Sequence, residues 1–305
     1  MSEDNYQHLI IGGTIKAATS SLFTYISAHP EVCASKIKET WFFSTQYSGD
    51  AEQDRRKYLA YFTPGDEHRV LFEASPEYLT YKENVAPRIR QMLPGARLLF
   101  LLRNPVDRLY SHFNFARGKL DLPQDLGFEK FIDYCEQFNR GETSPEESGI
   151  ALKHLRALEI GNYHRFLANF YDSFSAAQIK VVFYDDFAAD PLAKLAEICR
   201  FAGISPAFYQ NFAMQKSNVA FASRNRFLHR VAMFFNRLLE PWLRRFPSLK
   251  HSLVRFYRLF NQDRRGFVPM TEETREKLNG YYAPANAELK KMLPDQPFPG
   301  WVTES

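Results

Sequence analysis

Cysteine, long apolar runs and a strong charge of one sign are all scarce in this sequence of 305 residues. The three cysteines are widely spaced and form no CxxC pair, which argues against a zinc cage or a redox dithiol and favours a reducing compartment. No stretch approaches about 18 continuous apolar residues, so no transmembrane helix is expected. The acidic amino terminus has no basic segment before an apolar one. We therefore expect no signal peptide and a cytoplasmic protein.

The overall charge and composition are those of an ordinary globular enzyme or binding protein. Lys and Arg number 39 against 35 Asp and Glu, a net charge of +4 that is too weak to indicate nucleic-acid binding. Hydrophobic residues make up 45% of the chain, enough for a large buried core.

Short apolar runs alternate with helical patterns along the chain. Strands are predicted at 8–13, 69–73, 96–103 and 179–184, and helices at 16–29, 85–92, 106–117, 128–138, 151–171, 191–201 and 271–292. This alternation predicts a single doubly wound, mainly parallel α/β sheet flanked by helices. We expect one domain over residues 1–305, with a flexible loop at 139–149.

The turn between the first strand and the first helix has the composition of an anion cradle. Backbone N–H groups at a helix N-terminus, a lysine and two hydroxyl side chains all favour a phosphate there. The loop consists of Gly13, Thr14, Ile15, Lys16, Ala17, Ala18, Thr19 and Ser20. It is not a Walker A loop, because Lys16 precedes Thr19 by three residues with no glycine between them, and Ala17 replaces the hydroxyl that would hold Mg²⁺. The alternative is an ordinary turn with a surface lysine.

A second anion-binding motif follows the central strand. Arg103 stands where that strand ends, at the edge of an open α/β sheet where ligands bind, and Ser111 follows eight residues later on a predicted helix. Arginine suits bidentate phosphate recognition, so we expect both side chains to face one anion.

These motifs resemble those of the PAPS-dependent sulfotransferases. The loop GTIKAATS is similar to their 5′-phosphosulfate loop, and RNPVDRLYSHF resembles their 3′-phosphate motif. The segment DRRGFVPM at 263–270 and Gly161-Asn162-Tyr163 resemble the heparan-sulfate-type branch. The resemblance spans roughly residues 8–301, apart from 223–260, and implies a P-loop-NTPase-like sulfotransferase fold.

The resemblance implies a sulfotransferase that uses PAPS as donor co-substrate without a metal. It assigns the 5′-phosphate to the loop and the bridging oxygen to Lys16. The residues implied for the 3′-phosphate are Arg103, Ser111, Arg264, Arg265 and Gly266. The sequence departs from the family at Ala17 and Ala18, where glycine is usual, and at Ala74, where a lysine is common.

The resemblance also implies the catalytic base. Glu39 precedes an aromatic pair in KETWFF, as the basic carboxylate does in the heparan-type branch. The alternatives are a surface carboxylate paired with Lys36 or Lys38, or a histidine base at His112 or His164.

A basic, aromatic segment occupies the second half of the chain. Residues 223–265 hold eleven Lys and Arg and two acids, interleaved with Phe and Trp. We expect a basic helical lid or insert at about 205–262, which packs on the sheet, attracts an acidic acceptor or touches a membrane surface through 223–260. The acceptor is expected to be a carbohydrate or a small metabolite, with no nucleic-acid partner. A non-catalytic anionic-glycan or nucleotide-binding module and a P-loop phosphotransferase stay open as alternatives.

Overall fold

A computed structural model of the protein describes residues 6–81, 84–214 and 269–303, and the backbone alone at 222–223 and 262–263. These residues fall into two compact units. The first comprises 6–108, 160–214 and 276–303, and the second comprises 109–159, the two short backbone segments and 269–275. Within these ranges, no helix is long and apolar enough to cross a membrane.

The first unit is built on a five-stranded parallel sheet, which confirms the predicted fold class. The strand order is β2-β3-β1-β4-β5. From the central strand β1 the chain passes to the edge strand β2, returns to β3 beside β1, and then crosses to β4 and β5 on the other side. The strands are β1 (Gln7–Gly13), β2 (Val32–Ala34), β3 (Val70–Ala74), β4 (Arg97–Leu102) and β5 (Ile179–Phe183).

Helices connect the strands and complete both units. They are α1 (Thr19–Ser27), α2 (Ala51–Leu59), α3 (Val85–Met92), α4 (Pro105–Gly118), α5 (Phe128–Asn139), α6 (Pro145–Ser148), α7 (Leu152–Leu155), α8 (Tyr163–Ser173), α9 (Tyr184–Ala189), α10 (Pro191–Ala202), α11 (Glu272–Met292) and α12 (Gly300–Thr303).

Strand β4 shows why the sheet is covered on both faces. Leu98, Phe100 and Leu102 pack in one core with α3 and α8, whereas Leu99 and Leu101 pack in a second core with α1 and α10. All five side chains are fully buried. A continuous apolar run is what a parallel strand between two helical layers requires, because successive side chains point to opposite faces.

The structure differs from the predicted elements in three places. The first helix begins at Thr19 rather than at 16, because Lys16 and Ala18 have left-handed backbone conformations with φ of 67° and 64°. The helix predicted over 151–171 is broken into α7, a 3₁₀ turn at Glu159–Gly161 and α8. Strand β2, only three residues long, was not predicted.

In the second unit, the loop predicted at 139–149 contains the short helix α6. Ser144 accepts a hydrogen bond from the Glu147 amide, and the Glu147 carboxylate accepts one from the Ser144 amide. This reciprocal capping box satisfies two amides that the helix itself leaves without partners. Strands β6 (Ala222–Ser223) and β7 (Gln262–Asp263) pair antiparallel.

The beginning of the expected insert belongs to the first unit. A 3₁₀ turn at Pro206–Asn211 buries Tyr209, whose hydroxyl donates to the Tyr25 carbonyl at 2.9 Å. The segments 215–221, 224–261 and 264–268 lie outside the described residues.

Candidate active site

The loop at 13–20 lies at the carboxyl end of β1 and leads into α1. The Thr14 amide donates to the Leu101 carbonyl at 2.9 Å, which fixes the start of the loop against β4. Ala18 occupies the N-cap position of α1, and a methyl side chain offers no hydrogen-bond acceptor to the helix amides. The first turn of α1 therefore keeps amide donors and the positive end of its dipole for an anion.

Close packing explains Gly12 and Gly13, where β1 passes into the loop. A Cβ atom on Gly13 would lie 2.7 Å from the Leu79 Cβ, and one on Gly12 would lie 2.7 Å from an edge atom of Phe100. Carbon atoms do not approach so closely without a shift of the backbone. The loop can leave β1 in this direction only because neither position carries a side chain.

The second predicted motif reaches this loop through Arg103. Its guanidinium Nη1 donates to the Lys16 carbonyl at 3.2 Å, and the guanidinium carbon lies 5.0 Å from the centre of the Tyr184 ring. The Arg103 carbonyl accepts a hydrogen bond from the buried Tyr163 hydroxyl at 2.7 Å. Arg103 and Lys16 are both half-buried. The hydrogen bond between them brings two cationic residues from different strand ends together at the carboxyl edge of the sheet.

Of the remaining predicted phosphate ligands, the structure describes Ser111 only. Ser111 is a half-buried residue of α4 in the second unit, and its joint action with Arg103 stays a prediction. Arg264, Arg265 and Gly266 lie outside the described residues.

Glu39 lies beside the carboxyl end of β3. Its amide donates to the Ala74 carbonyl at 2.9 Å, and its backbone is left-handed with φ of 65°. The side chain is 40% exposed, so its carboxylate reaches solvent. Lys38 forms an ion pair with this carboxylate, which is the pairing expected of a surface glutamate.

Both alternative histidine bases make contacts of their own. In the second unit the buried His112 Nε2 lies 3.0 Å from the His154 Nδ1, and the His154 Nε2 lies 3.5 Å from an Asp121 carboxylate oxygen. In the first unit, burial lowers the pKa of His164, whose ring also contacts the Ala285 backbone on α11. These contacts fit structural roles for the two rings.

One residue of this region, Glu73, escaped sequence reasoning. It is the next-to-last residue of β3 and is fully buried. Its carboxylate accepts hydrogen bonds from Thr40, Ser75 and Tyr78. Burial raises the pKa of Glu73 from 4.5 to about 7, against the opposite effect of these hydrogen bonds. The sequence did offer one sign of this residue, because a glutamate is unusual inside an otherwise apolar strand such as VLFEA.

Two clefts formed by the described residues lie away from this region. One of about 520 Å³ is lined by Gln7, Val70 and Arg97, which are the first residues of their strands. It therefore opens at the amino edge of the sheet, whereas open parallel sheets bind ligands at the carboxyl edge. Among the residues described, no group of three or more His, Cys, Asp or Glu side chains is arranged to hold a metal ion.

Comparison with solved structures supports the fold. A sulfotransferase from Alicyclobacillus acidocaldarius superposes with a TM-score of 0.65 at 24% sequence identity, over 97% of this chain and 98% of that one.

Sequence comparison points to the same family. The chain is 24% identical over 307 aligned residues to the bifunctional heparan sulfate N-deacetylase/N-sulfotransferase 4 of Mus musculus, which covers 99% of this chain and 32% of the relative. It is 30% identical over 149 residues to the membrane-associated sulfotransferase kil1 of Dictyostelium discoideum, covering 46% of this chain and 31% of the relative. This chain thus spans about a third of the length of the curated relatives it matches. The sulfotransferase domain model matches residues 7–225, most of the chain, and the protein therefore belongs to the sulfotransferase domain family.

Proposed function

We propose that this protein transfers a sulfuryl group from PAPS to a hydroxyl or amine of a carbohydrate or small-molecule acceptor and releases adenosine 3′,5′-bisphosphate. The observation that carries the proposal is the contact between Arg103 and the Lys16 carbonyl, which brings the two anion-binding motifs together at one edge of the sheet. A nucleotide that carries phosphates at both its 3′ and 5′ positions needs two such motifs, one for each phosphate.

The residues of the loop fit a phosphosulfate donor. Its polar groups are backbone amides, hydroxyls and one ammonium group, which suit an anion rather than a cation. The Thr14 hydroxyl is fully buried and has no hydrogen-bond partner among the described residues. A buried hydroxyl without a partner is costly, so a ligand oxygen would stabilise it.

The chain's own residues supply charge and proton transfer. PAPS, when bound, supplies the sulfuryl group. The Lys16 ammonium offsets negative charge that develops on the leaving side of the reaction, and Arg103 holds a phosphate of the nucleotide in place. Glu39 takes the proton of the acceptor, because its exposed carboxylate faces solvent while its backbone is fixed to β3.

The surroundings of Glu39 support an acceptor with an apolar face, such as a sugar ring. Ile37 and Trp41, on either side of Glu39 in the sequence, are large apolar residues with exposed fractions of 38% and 42%. Aromatic side chains offer apolar area to a bound ring. The relative from Mus musculus carries heparan sulfate N-deacetylase/N-sulfotransferase in its name, which agrees with a carbohydrate acceptor.

A cytoplasmic location forms part of the proposal. Cys33, Cys135 and Cys199 are buried and form no disulfide, which agrees with a reducing compartment.

The alternative, a non-catalytic binding module, is supported by the ion pair between Lys38 and Glu39, because this ion pair engages the carboxylate that we propose as the base. The two functions predict different results in a transfer assay with ³⁵S-labelled PAPS and two acceptor probes, N-desulfated heparan sulfate and octyl glucoside. A catalyst labels at least one probe, and Lys16→Ala abolishes the labelling. Binding of adenosine 3′,5′-bisphosphate without labelling of any tested amine or alcohol would favour the binding module.

A further inference from the structure

The carboxyl group of Glu73 lies at the centre of a buried polar cluster, which comprises Glu73, Thr40, Ser75 and Tyr78. Exposed fractions are 2% for Thr40 and zero for the other three. The Thr40 hydroxyl donates to the Glu73 Oε2 at 2.5 Å, and the Ser75 hydroxyl donates to the same oxygen at 3.1 Å. The Tyr78 hydroxyl lies 3.4 Å from both carboxyl oxygens.

The same three hydroxyl groups hold the backbone that follows Glu39. The Trp41 amide donates to the Ser75 hydroxyl at 3.2 Å, and the Phe42 amide donates to the Thr40 hydroxyl at 3.3 Å. The Phe43 amide donates to the Tyr78 hydroxyl at 3.3 Å. Three successive amides therefore end on partners of Glu73.

The direction of these hydrogen bonds depends on Glu73. A hydroxyl has one hydrogen to donate, and it accepts through its lone pairs. Because Thr40 and Ser75 donate to the carboxyl group, their lone pairs turn toward the amides of Phe42 and Trp41. Removing the acceptor frees both hydroxyls to rotate and leaves the buried amides with weaker partners.

The held segment has a backbone that needs such support. Glu39 and Trp41 both adopt left-handed conformations, with φ of 65° and 52°, although neither is glycine. Such conformations persist only where the surrounding structure fixes them. In addition, the Glu39 amide donates a hydrogen bond to the carbonyl oxygen of Ala74, which is the residue directly after Glu73.

We propose that Glu73 is a positioning residue for Glu39: through Thr40, Ser75 and Tyr78, its buried carboxyl group holds segment 39–43 against the end of β3, so that the Glu39 carboxylate points outward. The catalytic part of this inference rests on the proposed function, in which Glu39 is the base. The holding of the segment stands on the hydrogen bonds alone.

The titratable neighbours of Glu73 agree with this role. Tyr58 from α2 and Tyr78 face its carboxyl group, and burial raises the pKa of both phenols well above the ordinary value. Both therefore stay neutral at physiological pH. Glu39, at the start of the held segment, forms an ion pair with Lys38, the residue directly before that segment.

The test compares Glu73→Ala with Glu73→Gln, which keeps a carbonyl acceptor of the same shape. The matched control is Asp54→Ala, which removes another fully buried carboxylate whose partners are the Ser48 amide and hydroxyl and the Gly49 amide. Hydrogen exchange over residues 36–47 is read by mass spectrometry, affinity for adenosine 3′,5′-bisphosphate by calorimetry, and kcat with the acceptor probe that the wild-type protein labels faster.

Glu73→Ala is expected to speed exchange of the Trp41, Phe42 and Phe43 amides and to lower kcat, each by about tenfold, with unchanged bisphosphate affinity. Glu73→Gln restores both quantities to within about threefold of wild type, as expected when a single acceptor oxygen is retained. If Glu73→Ala does not fold, Thr40→Val removes one of the bridging hydroxyls, and the exchange of the Phe42 amide is read instead.

Two results would overturn the inference. One is unchanged exchange at these amides in Glu73→Ala or Thr40→Val. The other is an equal loss of kcat in Asp54→Ala at an equal loss of thermal stability, because general destabilisation would then explain the effect. If the wild-type protein binds the bisphosphate but labels no acceptor, only the proposed function is contradicted. The hydrogen-exchange measurement then still decides whether Glu73 holds the segment.

Discussion

Arg103, directly after β4, donates a hydrogen bond from its guanidinium Nη1 to the backbone carbonyl of Lys16, in the loop after β1, at 3.2 Å. The two residues are 87 positions apart in the sequence. Strands β1 and β4 are neighbours in the parallel sheet, so their carboxyl ends deliver both cations to the same edge.

Arg103→Ala is predicted to weaken binding of adenosine 3′,5′-bisphosphate by about tenfold or more, because a charge-assisted contact to phosphate and the tie to the loop are lost together. Calorimetric titration measures the change. Arg97→Ala is the matched control, since Arg97 also donates to a backbone carbonyl, that of Phe201, and lies over an aromatic ring. Arg97 stands at the amino end of β4, so equal losses in both variants would contradict the assignment of Arg103.

Glu39→Gln is predicted to lower kcat by about 10²- to 10⁴-fold while bisphosphate affinity stays the same, because only the proton acceptor is removed. Transfer from labelled PAPS and calorimetry measure the two quantities. Glu77→Gln is the control: Glu77 is another carboxylate of this region, and it accepts a hydrogen bond from Ser44. Full activity of Glu39→Gln would remove Glu39 from the base role.

Gly13→Ala is predicted to destabilise the protein by about 1–3 kcal/mol, because the added methyl group would lie 2.7 Å from the Leu79 Cβ and 2.8 Å from its Cδ2. Urea unfolding measures the free energy. Gly95→Ala, where an added Cβ meets no atom within 4 Å, serves as control and should stay close to wild type. If the two variants unfold alike, the loop is not as tightly packed as the structure indicates.

The pH dependence of stability reports on Glu73. Its pKa in the folded protein is about 7, above the ordinary 4.5. Between these two values the unfolded chain has lost the proton and the folded protein keeps it, so stability falls as pH rises, by about 1.4 kcal/mol per pH unit. The full loss, about 3 kcal/mol, is present above pH 7.

Glu73→Gln removes this titration, so its stability should fall less than that of the wild type between pH 4.5 and 7. Urea unfolding of both proteins at pH 5, 6 and 7 gives the comparison. Parallel curves for the two proteins would mean that Glu73 does not carry a raised pKa.

The elements most visible in the sequence were those with a strong local pattern. The apolar run of β4 and the Gly-Gly exit from β1 predicted a parallel sheet with an anion site at its edge, and both the sheet and the loop are present. Strand β2 was missed because three residues are too few to show a periodicity. The break before α8 was missed because it depends on a distant contact: a side chain on Gly161 would clash with Tyr282 and Pro105.

Only those site residues that belong to short sequence motifs could be predicted. Lys16 and Arg103 stood out because each belongs to a short motif that suits an anion, whereas Glu39 was implied by the resemblance to the heparan-sulfate-type branch. The role of Glu73 could not be predicted from the strand VLFEA, because its partner Thr40 comes 33 residues earlier in the chain. The left-handed backbone of Ala18 was equally hidden, since alanine has no local preference for that conformation.

The central claim is that the edge of the sheet near Lys16 and Arg103 binds a PAPS-type nucleotide. Calorimetric titration with adenosine 3′,5′-bisphosphate in the absence of metal, and with ATP and Mg²⁺ in parallel, tests it most directly. We expect tight binding of the bisphosphate and little binding of ATP with Mg²⁺. No binding of the bisphosphate, or a preference for ATP with Mg²⁺, would contradict it and favour a phosphotransferase or another binding function.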